Sequence, residues 1–214
     1  MEIDYRKLIS NSQAPFFTRQ NLEVLLGSNR RTLDYRIISL IKAGLLARLK
    51  PGLYVNYAFY QKTSAPEELA RYIGCEIVRE SYISLEYALA LYGVLAESVY
   101  TITCVTTQKT RTLRNDFLSV TYRNIKSSLF WGYIYRQYGD LTYRIASPAK
   151  AMFDLIYLTP LRSDSAIREF LFDSRFNWEA MSRADKKEFK ESVEKSTSSK
   201  MKKILRYLAE KEIV

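Results

Sequence analysis

The first 43 residues combine apolar positions at helical spacing with short polar breaks. A short helix is predicted around Tyr5–Ser10, ahead of Pro15. A second helix is predicted over Arg19–Leu26, where Thr18 is placed to act as the N-cap. Its apolar stripe consists of three leucines, Leu22, Leu25 and Leu26. Two amphipathic helices are therefore expected before the first glycine.

A tight turn leads to a third helix. Gly27 suits the left-handed conformation at a helix end, and Ser28 or Asn29 can cap the helix that follows. That helix is predicted from Arg30 to Ala43, with Gly44 just beyond its last turn. Two helices joined by a short turn that contains glycine are typical of a helix-turn-helix.

The third helix has two chemically different faces when successive residues are placed about 100° apart. The apolar face, which we expect to pack on the first two helices, comprises Leu33, Ile37, Leu40 and Ile41. The other face carries side chains that can contact bases and phosphates. We predict base contacts from Arg31, Thr32, Tyr35 and Ser39, and phosphate contacts from Arg30, Arg36 and Lys42. For one helix taken alone, the alternative is an ordinary solvated polar face.

Two short apolar segments on either side of Pro51-Gly52 predict a β-hairpin over residues 45–57. A hairpin that directly follows a helix-turn-helix is a wing. Arg48 and Lys50 lie on or near it and suit phosphate or minor-groove contacts. Residues 1–62 are therefore expected to form a winged helix-turn-helix DNA-binding domain.

The remaining residues, 63–214, are predicted to form a second domain. The segment 58–66 has the composition of a linker, and Pro66 opens a helix that reaches Ile73 or beyond. Ser84 is predicted to cap a helix over Leu85–Tyr92. Further helices are predicted at Ala149–Leu158, Ser163–Asp173, Ser182–Glu194 and Lys200–Glu210, and strands at 100–107, Leu118–Arg123, Tyr133–Tyr138 and Leu141–Ile145. The expected fold class is α+β, with a small mixed or antiparallel sheet surrounded by helices.

Charge supports both the division and the type of partner. The chain of 214 residues has 33 Lys and Arg against 23 Asp and Glu, a net charge of +10. Residues 1–62 carry ten basic and four acidic side chains, whereas residues 63–100 carry two and six. The reversal of sign favours a separate N-terminal module, and the basic balance favours a polyanion such as duplex DNA.

Several classes of function are disfavoured by residues that the sequence lacks. The absence of histidine removes Ser-His-Asp and Cys-His nucleophiles and nearly all zinc sites. Neither GxGxxG nor GxxxxGK[ST] occurs, so a Rossmann or P-loop nucleotide site is not expected. We therefore expect no enzyme activity, metal or cofactor. Two cysteines without a CxxC pair, no secretory signal and no membrane-length apolar run lead us to expect a cytoplasmic protein without a membrane partner.

Four segments between about residues 15 and 160 resemble the antitoxins of AbiE type IV toxin–antitoxin systems, called AbiEi. They are PGLYVN, YISLEYALALYGVL, the strand TITCVTT followed by KTRTLR, and IASPAKAMFDLIYL. The resemblance implies a cytoplasmic protein whose N-terminal winged domain binds operator repeats and represses its own operon. It also implies a C-terminal domain that neutralises a cognate toxin encoded nearby, a nucleotidyltransferase-like enzyme in that family.

Two alternative functions, and the role of a second basic surface, stay open beside this hypothesis. A stand-alone winged-helix transcription factor without a toxin partner, with a ligand sensed in the second domain, fits the same residues. A metal-dependent nuclease that used Asp116 and Asp140 lacks the expected acid-x-Lys pair after Asp140. A second basic surface, Lys109, Arg111 and Arg114 with Arg123 and Lys126 nearby, either continues the DNA surface, meets an acidic toxin face, or is a solvated loop between strands.

Asp154 lies within an apolar helix. Its expected role is to pair with a buried arginine or to cap backbone groups rather than to act as a catalytic acid.

Overall fold

The computed structural model describes residues 4–27, 29–115 and 117–214. Ser28 and Asp116, predicted as a helix cap and as a nuclease candidate, lie outside the described residues. The fold is mixed α+β, as the sequence predicts. Of the described helices, none has both the length and the apolar character that a membrane span requires.

The chain forms two compact units. The first consists of Met1–Ile73 with Leu113–Leu118, and the second of Gly74–Thr112 with Ser119–Val214. The sequence placed the division after residue 62. The first unit instead extends into the helix that follows and takes in a short segment about 40 residues further along the chain.

A three-stranded antiparallel sheet and four helices make up most of the first unit. The helices are α1 (Tyr5–Asn11), α2 (Arg19–Leu26), α3 (Arg30–Lys42) and α4 (Tyr57–Lys62). The strands are β1 (Phe16–Thr18), β2 (Leu46–Lys50) and β3 (Leu53–Asn56), in the order β1-β3-β2. Helix α5 (Pro66–Ile77) begins in this unit and ends in the second.

The hairpin β2–β3 forms around Pro51-Gly52 as predicted, but β1 was not predicted. The linker predicted over residues 58–66 is wrong, because most of it lies in α4. The fully buried Asn56 explains this helix. Its side-chain oxygen accepts from the Phe59 amide, and its amide donates to the carbonyls of Ile9, Ser12 and Ala14 at 3.0–3.3 Å.

A six-stranded sheet, with strand order β6-β7-β5-β4-β9-β8, belongs to the second unit except for Leu113 and Arg114 of β6, which are assigned to the first. The strands are β4 (Ser81–Ile83), β5 (Ile102–Thr106), β6 (Arg111–Arg114), β7 (Ser119–Asn124), β8 (Tyr133–Tyr138) and β9 (Leu141–Ala146). The sheet is mixed, since β4 pairs antiparallel with β5 and parallel with β9. Strands β4 and β6 were not predicted.

Five further helices accompany this sheet. They are α6 (Leu85–Leu91), α7 (Pro148–Leu158), α8 (Asp164–Phe172), α9 (Arg183–Lys195) and α10 (Ser199–Glu210). Short 3-10 helices occupy Ser127–Leu129 and Trp178–Ala180. Helix α7 is the centre of the unit, because its residues from Ala149 to Ile156 are all buried.

Ser84 stands directly before α6 but does not cap it with its side chain, which corrects the sequence prediction. Its hydroxyl donates instead to Oδ2 of Asp154, at 2.8 Å. The amide of Tyr87 in the first turn of α6 donates to Oγ1 of Thr103 on β5, at 3.1 Å. A residue of the neighbouring strand therefore takes over part of the capping function.

A buried ion pair lies within α7. Nζ of Lys150 is 2.5 Å from Oδ1 of Asp154, and both side chains are fully buried. Nζ also donates to the Leu129 carbonyl, at 2.8 Å. Oδ2 of Asp154 accepts from the hydroxyls of Tyr82 and Ser84, both at 2.8 Å. The expected partner of Asp154 was an arginine, so that prediction is wrong in residue type, although the structural role was anticipated.

Burial opposes both charges of this pair. It lowers the pKa of Lys150 and raises the pKa of Asp154, while the attraction between the two groups acts in the opposite sense on each. The hydrogen bonds to Oδ2 favour the ionised carboxylate. A lone member of the pair would therefore be a costly buried charge.

We expect Lys150→Met to lower the free energy of unfolding by about 3–5 kcal/mol, because it leaves the Asp154 carboxylate buried without its cation. The double variant Lys150→Met/Asp154→Asn should lose less free energy of unfolding than Lys150→Met does. It removes both charges, and the asparagine oxygen can still accept from Tyr82 and Ser84. Urea denaturation of the full chain measures both values.

Lys203→Met is the matched control, because Lys203 pairs with Asp164 at the surface. Its cost should stay within about 1 kcal/mol. A Lys150→Met variant no less stable than Lys203→Met would show that the buried pair does not hold the unit together.

Candidate nucleic-acid interface

The turn between α2 and α3 is fixed by side chains close in sequence. Thr18 caps α2 in a capping box, with its hydroxyl oxygen accepting from the Asn21 amide at 3.1 Å. Gly27 follows α2 with a φ of +53°, which a residue with a Cβ adopts only at a cost. Asn29 caps α3, its Oδ1 accepting from the Thr32 amide at 3.0 Å. These three predictions are confirmed.

Helix α3 is anchored by one apolar face. Leu33, Ile37 and Leu40 are buried in the core of the first unit, and Ile41 is partly buried beside them. The core also takes Leu22 and Leu26 from α2. Leu25 was predicted to join them and does not, since its side chain is 41% exposed. The helix has one firmly packed side and one side that faces away from the core.

The outward side of α3 carries a row of exposed side chains, Arg31, Tyr35, Ile38 and Lys42. We call this row the α3 outer row. Tyr35 is 73% exposed and Ile38 is 53% exposed. Their spacing of three and four residues places them on one line along the helix. Ile38 was not among the contacts predicted for this face.

A concavity of about 370 Å³ lies along the C-terminal part of the α3 outer row, lined by Arg6, Tyr35, Ile38, Ser39, Lys42 and Ala43. The predicted residue Ser39 belongs to this surface and is partly exposed. Arg6, from α1, is exposed and was not predicted. Only the three-dimensional packing of α1 beside α3 brings this cation to the site.

Arg36 has an internal role, which corrects its assignment to a phosphate. Its guanidinium donates to the carbonyl of Leu26 at the end of α2 and lies over the ring of Tyr5, 5.6 Å from the ring centre. Arg36 therefore connects three helices. Thr32, predicted to read bases, is partly buried in the first turn of α3, whereas Arg30 beside it is exposed.

A second concavity, of about 420 Å³, lies between α3 and the hairpin β2–β3. Three arginines line it, Arg19, Arg30 and Arg48. Asp34, the only acid of α3, also lines it and forms an ion pair with Arg19. The hydrogen bond that Arg19 donates to Asp34 lowers the pKa of the Asp34 carboxyl and raises the pKa of the Arg19 guanidinium. Arg19 was not predicted as part of the site.

The two predicted hairpin cations differ in exposure. Arg48 on β2 is exposed, whereas Lys50 at the end of that strand is partly buried. The strand register shifts between these two residues. The side-chain directions of Arg48 and Lys50 are therefore set by an irregularity in the strand and not by a regular alternation between its two faces.

The residues of the predicted second basic surface are divided between the two units. Lys109 and Arg111 belong to the second unit and Arg114 to the first. Arg111 donates to Oε1 of Gln108 at 2.9 Å. The segment Arg111–Arg114 is strand β6 rather than a loop, so the loop interpretation is wrong there. Arg123 is held inside the second unit by the Leu158 carbonyl, at 2.6 Å.

The nuclease candidates gain no support from the geometry. Asp140 lies exposed in the turn between β8 and β9, and Asp116 lies outside the described residues. Among the residues that the structure describes, no group of three or more His, Cys, Asp or Glu side chains is arranged to hold a metal ion.

A scan against protein-family models finds no match to this chain, and a search of the curated proteins finds none either.

Proposed function

We propose that the first unit is a winged helix-turn-helix that binds duplex DNA, with α3 in the major groove and the hairpin β2–β3 as the wing. The observation that carries this proposal is the α3 outer row. It is exposed, cationic at both ends and held in place by a helix whose opposite face is buried. Arg and Lys neutralise phosphates, and Arg, Tyr and apolar side chains contact base edges.

The position of α3 supports the same assignment. It follows α2 after a short turn that contains Gly27, the order in which a recognition helix follows its supporting helix. The hairpin comes next in the chain, with Arg48 at the concavity beside α3. The predicted phosphate contacts that remain after the correction of Arg36 are Arg30, Lys42, Arg48 and Lys50. Arg6 is added to them from the structure.

We further propose that the protein represses its own operon and acts as the antitoxin of a type IV system. This rests on the AbiEi-like segments. In the structure PGLYVN spans the hairpin turn and β3, and YISLEYALALYGVL spans β4 and α6. The segment IASPAKAMFDLIYL runs from the end of β9 through α7. A transcription factor without a toxin partner remains the alternative, and the two proposals differ in whether the neighbouring gene is toxic.

Binding to DNA from immediately upstream of the protein's own reading frame tests the first proposal. At about 150 mM salt the full chain should prefer this DNA to a scrambled duplex by at least 100-fold. Five phosphate contacts should give a slope of log K against log salt of about −4.5. The double variant Arg31→Ala/Tyr35→Ala should lose the preference but keep most of the salt dependence.

Val24→Ala is a suitable control, because Val24 is exposed on α2 and outside the α3 outer row. It should bind as the wild type does. Equal affinity of the wild type for both duplexes would leave only a non-specific electrostatic contact and would contradict the recognition role of α3.

Asp34→Asn should strengthen DNA binding, because it frees Arg19 and removes a negative charge beside α3. If Arg19 then meets a phosphate, the salt slope should become steeper by about 0.9. Salt titrations of the wild type and the variant on the same duplex measure this. In an Arg19→Met background the same substitution should give a smaller gain, and an equal gain would mean that Arg19 plays no part.

The antitoxin proposal is tested by induced expression of each neighbouring gene, alone and together with this protein. One neighbour should arrest growth alone and lose at least ten-fold of its killing when co-expressed. The Arg31→Ala/Tyr35→Ala variant should still protect, because neutralisation is assigned to the second unit. Neighbours that are all harmless would favour the stand-alone transcription factor.

A further inference from the structure

Ile38 lies exposed in the middle of the α3 outer row. It is 53% exposed and does not belong to the core that holds α3. Tyr35 precedes it by one helical turn and is 73% exposed. Arg31 and Lys42 lie at the two ends of the same row, and both are exposed. The α3 outer row therefore has an apolar centre with a cation at each end.

The concavity around Ile38 has the same arrangement. Its lining combines the apolar side chain of Ile38 and the ring of Tyr35 with the cations Arg6 and Lys42. This concavity of about 370 Å³ is open to solvent rather than enclosed, so it can take the edge of a large partner. A partner that covers it must present an apolar group between negative charges.

Duplex DNA offers this combination. Each strand carries a phosphate at every step, and the thymine C5-methyl is the apolar group that an unmodified base pair presents in the major groove. An apolar protein surface would leave Arg6, Arg31 and Lys42 without counter-charges, which disfavours an apolar protein partner at this face. The phosphates of duplex DNA supply these counter-charges on both sides of the base edges, so the charges around Ile38 favour DNA as the occupant.

We propose that Ile38, with Tyr35 beside it, contacts the methyl group of a thymine in the major groove and makes the protein selective for thymine at that position. The inference rests on the proposed DNA binding and adds to it the chemical feature of the base that is recognised. Arg6 and Lys42 are assigned to the flanking phosphates.

The test uses duplexes selected from a random pool by the full wild-type chain and then resynthesised with deoxyuridine at every thymine. This change removes the methyl groups and keeps the base pairing. The wild type should bind the uracil duplex at least fourfold more weakly, the factor that corresponds to one buried methyl group. Ile38→Ala should bind the thymine duplex with about the same reduced affinity and should show little difference between the two duplexes.

Val24→Ala is the matched control, since it removes a comparable exposed apolar side chain from α2. It should show the same loss on uracil DNA as the wild type. A melting curve for each variant checks that folding is unchanged.

The alternative outcomes separate the two proposals. An equal loss on uracil DNA in the wild type and in Ile38→Ala would overturn the role of Ile38 and leave DNA binding intact. The role of Ile38 would also be overturned if the wild type self-associates, Ile38→Ala does not, and both bind DNA equally well. In that case the face would bind a second copy of the chain. Failure of the wild type to enrich any sequence would overturn both proposals.

Discussion

The ion pair between Lys150 and Asp154 is the constraint on which the second unit depends. Two opposite charges without solvent contact are tolerated only when their remaining hydrogen-bonding capacity is used. The hydroxyls of Tyr82 and Ser84 donate to Oδ2 of the carboxylate, and the Leu129 carbonyl accepts from the ammonium. These contacts connect α7 to β4 and to the segment ahead of β8. Gly132 is required in that segment, because a Cβ there would lie 2.9 Å from the Lys150 stem.

Features that depend on residues close together in the sequence could be predicted, whereas features that depend on contacts between distant residues could not. Thr18, Asn29 and Ser147 cap their helices through amides three residues further on, so their roles are visible in the sequence. Ser84, like Ser147, is a serine directly before a helix. Its hydroxyl is taken by a carboxylate 70 residues away, which no local pattern indicates. Strand β4 was missed because its three residues are all buried and show no alternation.

The candidate site shows the same division between local and distant information. Helical periodicity correctly separated the buried face of α3 from the exposed one, and Arg31, Tyr35 and Lys42 were predicted on the latter. Arg36 could not be recognised as internal, because its acceptor is a backbone carbonyl at the end of another helix. Arg6 reaches the site only through the packing of α1. Ile38 lies on the same side of the helix but was not among the predicted contacts, which were all polar or aromatic.

Cationic side chains have different roles in the core of the second unit and on the α3 outer row. In the second unit Lys150 is buried, and Lys200 donates to the carbonyls of Ile156, Tyr157 and Thr159 at 2.8–2.9 Å. These cations therefore stabilise the fold and are not available to a partner. In the first unit, Arg31 and Lys42 project from a helix whose opposite face is fully packed. Cations that are exposed on a rigid helix can bind polyanions without unfolding any part of the protein, and for this reason the proposed DNA binding is assigned to α3.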